Sequence, residues 1–292
     1  MKNKIERVWC VLCKGKKTTT IFISSPYTIV KCTKCDLVYL SPRPTQEMIR
    51  EIYKDEYFQR GDIGSGYTDY NSLQSDLEQE AQRRIKLIQQ YIPKGTVLDA
   101  GCGYGDFLIA AQKHGFTPTG CDISQSAISF IKQTYKLPAV VSSLVSKDIP
   151  KGPFDVITSW DVIEHMIDPI QSLAAFGTAQ RKGGYLFMTT PDIKSIDAWL
   201  LGRFWYGFKR IPEHLYYFSP QTMKKILETT GYEVIDIRPW GFQRNLAYCI
   251  DQIGRYNKLV KTFCDPFSKL FGFKNISLFF PFIDMMVVAR KK

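Results

Sequence analysis

Through its middle the chain alternates short apolar runs with amphipathic segments of helical length. The runs fall at residues 96–100, 117–121, 139–142, 154–159 and 184–190, and helical spacing fills 104–114, 124–135 and 168–179 between them. A further helix over 219–230 precedes a run at 232–238, and 285–289 closes the series. Such alternation predicts an α/β fold in which a parallel sheet carries helices on both faces. Ligands of such sheets collect beyond the carboxyl ends of the strands, where strand order reverses. Upstream, Leu73, Leu77, Ala81, Ile85 and Ile88 recur on one helical face until Pro93-Lys94-Gly95 stops the pattern. Ahead of that helix GSGYTDYNS, residues 64–72, has the composition of a loop that orders over a ligand.

Composition changes the picture mainly at the two ends. An apolar fraction of 45% excludes wholesale disorder, and the net charge is +11. Residues 1–45 hold nine Lys/Arg against Glu6 and Asp36, and 238–292 hold ten against Asp251, Asp265 and Asp284, so each end carries +7 and the middle −3. Basic ends suit a phosphate-bearing substrate, a nucleic acid or an anionic membrane surface, although scattered lysines serve solubility equally well. No basic-then-apolar leader opens the chain and no apolar window reaches the ~18 residues of a spanning helix, so a cytoplasmic location is expected.

Four of the eight cysteines form Cys10-x-x-Cys13 and Cys32-x-x-Cys35. Each turn aims two sulfurs at one point, and two such turns complete the tetrahedron that zinc prefers. The intervening KKTTTIFISSPYTIVK is rich in β-branched residues and broken by Ser-Ser-Pro, as a short hairpin would be. Reduced cysteines without metal and a redox pair are the competing readings. With cysteine at all four corners no position remains for water or substrate, so the expected zinc is structural.

The first run of the middle region ends in VLDAGCGYGDF, residues 97–107. Gly101, Gly103 and Gly105 permit a sharp strand-to-helix turn and close approach of a ligand, and the next helix points its N–H groups at the same space. Nicotinamide-binding turns read G-x-G-x-x-G. Here G-x-G-x-G follows Asp99, a carboxylate suited to a cationic cofactor and unwelcome beside a pyrophosphate. The second run ends at Cys121-Asp122, where an acidic side chain can accept ribose hydroxyls, and Ser124 is already available as the helix cap.

VLDAGCGYGDF, Asp122, FDVITSWDVIEHMIDP (154–169), GGYLFMTTP (183–191) and EHLYYFSPQTMKKILETTGYEVI (213–235) resemble the successive motifs of class I S-adenosylmethionine-dependent methyltransferases. The resemblance covers residues 96–238 and implies a Rossmann-like methyltransferase sheet with S-adenosylmethionine as cofactor. It implies that Asp99, Gly101 and Gly103 hold the amino-acid end of that cofactor, with Gly105 in the same turn. Asp122 would take the ribose, Ile123 would lie against the adenine, Ser143-Leu144 near its amino group, and Ser159-Trp160 over the methionine portion. The start, CxxC…CxxC followed by DLVYLSPRP, is similar to zinc-ribbon methyltransferases associated with sugar and surface-polysaccharide modification. The expected organisation is a zinc ribbon (1–45), a helical bridge (46–95), the cofactor-binding core (96–238) and a C-terminal helical insertion with the last strand (239–292).

Methyl transfer from a sulfonium is an in-line displacement that alignment and desolvation can largely carry, but a hydroxyl or carbon acceptor also needs a base. His165 and His214 fall at the carboxyl edge of the sheet and are the candidates, with Tyr216 or Tyr217 assisting orientation. A Glu-His pair that only fixes its loop is the competing account. Asp161-x-x-Glu164-His165 is similar to the carboxylate–carboxylate–histidine cluster of quinone-pathway O-methyltransferases, in which a divalent ion orients a phenolic hydroxyl. Residues 195–218 are dense in aromatics and expected to form an acceptor-binding lid, with Arg203, Lys209 and Arg210 for phosphates. In 241–283, lysines mix with Phe and Leu, which suits either an anionic membrane surface or a helical cover on the sheet. The leading expectation is methylation of a sugar or glycan precursor, nucleotide-linked or lipid-linked. A small phenolic or quinone-like acceptor is the first alternative. A nucleic-acid-binding ribbon protein, for which only charge speaks, is the second.

Overall fold

The computed structural model describes residues 4–52, 70–145, 148–246, 250 and 276–292. Strands β1 (Ile5–Glu6), β2 (Thr18–Ser24), β3 (Tyr27–Cys32), β4 (Val38–Leu40) and β5 (Arg43–Pro44) make the N-terminal ribbon. Helices α1 (Gln46–Ile52) and α2 (Tyr70–Gln89) lead to β6 (Thr96–Ala100). Then α3 (Asp106–Lys113), β7 (Thr117–Asp122), α4 (Gln125–Phe130), β8 (Ala139–Val141), β9 (Phe154–Trp160), α5 (Pro169–Ala179) and β10 (Gln180–Pro191) follow. The chain continues through α6 (Ile196–Leu201), α7 (Tyr206–Lys209), β11 (Tyr216–Tyr217), α8 (Pro220–Thr229), β12 (Tyr232–Asn245) and β13 (Ser277–Lys291).

The main sheet has the order β12-β13-β10-β9-β6-β7-β8, with β6 to β10 parallel and β13 antiparallel to both its neighbours. Strand order reverses on either side of β6, so the cleft above β6 and β9 is where a ligand belongs. This is the α/β sheet that the apolar runs predict, in the Rossmann-like methyltransferase order that the motif resemblance implies. β12 and β13 pair from Tyr232↔Lys291 to Asn245↔Ser277, well beyond the expected 232–238 and 285–289. The excess carries no apolar-inward pattern, because residues 284–289 are buried throughout while Leu278 and Phe279 are exposed and Phe280 is half-buried. Residues 70–72, read as loop, open α2. The rest of that loop and most of the expected C-terminal helical insertion lie outside the described residues.

Local signals set several element starts. Ser124 Oγ accepts from Ala127 N, Asp168 caps α5 ahead of Pro169, and Ser219 with Thr222 forms a capping box on α8. On one face of the sheet Ala81, Ile85 and Ile88 of α2 pack with Val97, Phe107, Val156 and Phe187. On the other, Ile29, Leu37 and Leu40 of the ribbon share a core with Leu98, Ile157, Leu173 and Leu186. The ribbon sheet itself runs β11-β4-β3-β2, so its fourth strand comes from the far side of the chain, with Tyr216↔Tyr39 and Tyr217↔Val38 in register. Among the described residues no helix is long and apolar enough to cross a membrane.

Candidate active site

The turn between β6 and α3 is tight because Gly101, at φ +86°, faces the loop after β9. A Cβ there would lie 2.4 Å from Val162 Cγ2. Gly103 N donates to Asp122 Oδ2 and Ser124 N to Asp122 Oδ1, both at 2.9 Å. One carboxylate therefore ties the glycine turn to the end of β7, and each oxygen keeps lone-pair capacity for a ligand. Burial raises the Asp122 carboxyl in spite of these donors. Asp99 accepts from Thr158 Oγ1 at 2.7 Å, and burial lifts it to about 7. A cation placed beside it would draw it back toward the charged form.

These groups open on a cavity of about 1080 Å³. Asp99, Gly101, Gly103, Asp122, Ile123, Ser143, Leu144 and Trp160 all line it. Two expected residues do not. Gly105 lies behind the turn as the N-cap of α3 at φ +89°, and Ser159 is fully buried in β9 outside the cavity wall. The reason at Ser159 is strand alternation: its neighbour Trp160 takes the cavity side. Arg84 of α2 was not anticipated. Its guanidinium lies 4.6 Å over the Trp160 ring, 3.2 Å from Glu80 Oε1 and 3.4 Å from Asp161 Oδ2. The available signal was a Glu80–Arg84 pair set among the apolar positions Leu77, Ala81 and Ile85.

At the other end of the cavity Glu164, His165 and His214 meet. Glu164 Oε2 accepts from Thr190 Oγ1 at 2.9 Å, and Oε1 lies 3.8 Å from His165 Nε2. The two imidazole rings stand edge to face at 4.7 Å. His165 Nδ1 bonds Glu213 O, and His214 Nδ1 bonds Gly207 O, each at 3.1 Å. A carbonyl can only accept, so both Nδ1 atoms carry the hydrogen and both Nε2 atoms the lone pair. Burial, with the Arg210 guanidinium nearby, lowers His165 to about 3 and His214 well below its usual value. Burial, reinforced by Asp161, raises Glu164 to about 8.

The expected Asp161/Glu164/His165 cluster is corrected. Asp161 stands in a left-handed turn at φ +56°, half-exposed, and faces Arg84, whereas His214 brings the third donor. The ligand atoms of Glu164, His165 and His214 all lie within 4.8 Å of one another. Tyr216 is corrected too. Its hydroxyl donates to Ile167 O at 3.0 Å, accepts from Arg43 Nη1 at 3.1 Å, and lies outside the cavity wall, as Tyr217 does. Both tyrosines belong to β11, which the ribbon claims as a strand. Of the basic residues expected in the lid, Lys209 and Arg210 line the cavity and Arg203 does not.

In the ribbon, Cys10 and Cys35 Sγ lie 3.4 Å apart and Cys13 and Cys32 Sγ 3.5 Å, with all four within 4.8 Å. Sulfurs at about 2.3 Å around a tetrahedral zinc are roughly 3.8 Å apart, so the donor set fits that ion. A Cβ on Gly15 would lie 3.1 and 3.2 Å from Cys13 and Cys32 Sγ, so the backbone closes directly on the sulfurs. Burial pushes the Cys10 thiol up to about 11 and Cys35 higher still, whereas at Cys32 burial is outweighed by hydrogen bonds that lower it. A cation is therefore needed to hold the first two as thiolates.

Comparison with known proteins agrees with this fold. A family model described as a methyltransferase domain matches residues 73–237. A ubiquinone biosynthesis O-methyltransferase of Coxiella burnetii (strain Dugway 5J108-111) is 30% identical over 171 residues, 53% of this chain and 71% of the relative. One from Colwellia psychrerythraea is 26% identical over 170 residues, 51% and 68% of the two chains. The solved magnesium protoporphyrin IX methyltransferase of Synechocystis PCC 6803, with bound SAH, superposes with a TM-score of 0.54 at 14% identity, covering 85% of this chain and all of that one.

Proposed function

We propose that this chain, which belongs to the S-adenosylmethionine-dependent methyltransferases, methylates a hydroxyl of a small phenolic or quinone-like acceptor. The observation that carries the reading is the pair of neutral imidazoles lining the far end of the cavity, each with its Nδ1 hydrogen fixed on a carbonyl. Such an Nε2 can accept the hydrogen bond of an acceptor hydroxyl. It can take the proton once a polar ligand in the cavity offsets the burial that lowers both imidazoles. The phenolic class follows the printed activity of the curated relatives. The sugar or glycan acceptor expected from the ribbon subgroup has no counterpart among the relatives named above, and it gives way to the phenol.

S-adenosylmethionine, when bound, supplies a methyl group on a sulfonium sulfur. Asp99 and the Gly101–Gly103 turn would receive its ammonium end, Asp122 its ribose, and Ile123 with Ser143-Leu144 its adenine. Trp160 would cover the methionine portion, with the Arg84 guanidinium held over its ring at 4.6 Å. Zinc held by Cys10, Cys13, Cys32 and Cys35 would keep the ribbon folded and take no part in the transfer.

The same three donors also suit a divalent ion with one carboxylate and two imidazoles, which would orient a phenolate. Methyl uptake from labelled S-adenosylmethionine, run on catechol-type phenols and on nucleotide sugars with and without added magnesium, separates these readings. Uptake on phenols alone, unchanged by magnesium, supports the imidazole base. Uptake that requires magnesium supports the ion. Uptake on sugars alone overturns the phenolic reading.

A further inference from the structure

The insertion between β10 and α8 does not bury all its aromatics. In α6, Ile196, Trp199 and Leu200 recur at helical spacing and are 57%, 80% and 67% exposed, and Phe204 one turn on is 58% exposed. Isolated exposed apolar residues need no explanation, but a contiguous stripe of four large ones does. The opposite side of the helix is anchored. Ala198 is buried, and Asp197 Oδ2 takes the indole N–H of fully buried Trp205 at 2.8 Å. That bond fixes the rotation of α6, so the stripe faces outward by construction.

Charge along the insertion is mainly positive, although Asp192 and Glu213 flank it and Glu213 lies 3.7 Å from Arg210. Residues 194–210 hold Lys194, Arg203, Lys209 and Arg210 against Asp197 alone. Asp197 is engaged with Trp205. The Arg203 guanidinium lies 4.8 Å and the Lys209 ammonium 5.2 Å over the Phe204 ring, so cations ride on the edge of the apolar surface. The stripe borders the cavity at Phe204, which lines its wall, and Leu201 at the end of α6 lines the wall beside it.

We propose that α6 and the turn behind it dock the protein on an anionic bilayer surface, with Trp199 and Leu200 entering the boundary between headgroups and acyl chains. Apolar residues rimmed by Lys and Arg are the pattern of a peripheral contact of this kind. A second copy of the chain would bring cations against cations and is the poorer occupant. The cavity then opens toward the bilayer, and an apolar acceptor reaches His165 and His214 without crossing water. This docking face is separate from the C-terminal segment that the sequence put forward for a membrane contact. It does not depend on the acceptor proposed above, since docking is read without turnover.

The test uses the full chain at low salt with vesicles of phosphatidylcholine containing phosphatidylglycerol, and with pure phosphatidylcholine. Sedimentation with the anionic vesicles and a blue shift of tryptophan emission are expected, with neither on the neutral ones. Trp199→Ala/Leu200→Ser lies outside the cavity wall, so it should keep S-adenosylmethionine binding while vesicle binding falls at least about tenfold. Absence of wild-type binding, equal binding to neutral vesicles, or a double variant that binds like wild type would overturn the proposal. So would light scattering that finds a dimer which the double variant converts to monomer, because the stripe would then be an interface between copies.

Discussion

The two ends of the cavity are built in opposite ways. The centre of the cofactor end comes from one uninterrupted stretch, β6, the glycine turn, α3 and β7, with Asp122 stitching the last of these back to Gly103 at 2.9 Å. Only its rim (Arg84, Ser143-Leu144 and Trp160) comes from elsewhere. The acceptor end comes from segments far apart in the chain. His165 follows β9, His214 lies in the insertion, and Leu215 donates to Glu164 O at 2.8 Å while its own carbonyl accepts from Leu40 of the ribbon at 2.9 Å. Local assembly gives a cofactor site that a motif can encode. Long-range assembly gives an acceptor site that depends on the ribbon being folded.

Single substitutions should separate the ends most strongly. Asp122→Ala removes the acceptor of two backbone N–H groups and the proposed ribose partner. S-adenosylmethionine affinity should fall about a hundredfold or more by calorimetry. His214→Asn should leave that affinity within about twofold while lowering kcat by about a hundredfold or more. An Asp122→Ala protein that binds cofactor normally, or a His214→Asn protein that turns over normally, would dissolve the distinction between the ends.

The ribbon's hold on the acceptor end sharpens the comparison. Arg43 is buried and donates through Nη1 to Ile167 O at 2.8 Å and to the Tyr216 hydroxyl, with Nε on Glu6 Oε1 at 3.0 Å. Arg43→Met removes three hydrogen bonds at once and should cost about 3 kcal/mol, a fall in Tm of roughly 6–12 °C by calorimetry. Arg43→Lys should recover part of the loss. If the four cysteines hold zinc as proposed, a chelator should raise KM for the acceptor while cofactor affinity holds, because Leu40 of β4 bonds Leu215, which in turn bonds Glu164. Equal loss at both ends would mean that the ribbon merely stabilises the whole sheet.

The same contrast governs what could be read in advance. Parallel strands, the Asp99 carboxylate, the glycine turn and the cysteine pairs are short-range patterns, and each is visible in a window of a few residues. Tyr216 looked catalytic because it adjoins His214. Only the pairing of β11 with β4 shows that its hydroxyl is spent on Ile167 and Arg43. Asp161 enters as a candidate ligand only through the resemblance of Asp161-x-x-Glu164-His165 to the quinone-pathway cluster. Its left-handed backbone and the distant Arg84 turn it elsewhere. Partners many tens of residues away leave no periodic trace, so the acceptor end stayed ambiguous while the cofactor end did not.

The smallest effect is a pH dependence that also belongs to one end. Glu164 is raised from 4.5 to about 8, so between those values the folded protein holds a proton that the unfolded chain has released. Stability contributed by this group is therefore lost as pH rises through that window. Asp99, raised from 3.8 to about 7, acts with the same sign over its own window. His165, lowered from 6.5 to about 3, acts oppositely, since the unfolded chain binds its proton first and stability is lost as pH falls below 6.5. The carboxyl and imidazole contributions thus oppose one another below 6.5, and above it the carboxyls stand alone. Unfolding by urea should show stability declining by about 1–2 kcal/mol from pH 6.5 to 8. In Glu164→Gln, which stays neutral, most of that decline should vanish, leaving only the Asp99 share up to about pH 7. An unchanged slope in Glu164→Gln would mean that the carboxyl is already ionised in the folded protein. A cation bound by Glu164, His165 and His214 would do that, because it favours the carboxylate that burial alone disfavours.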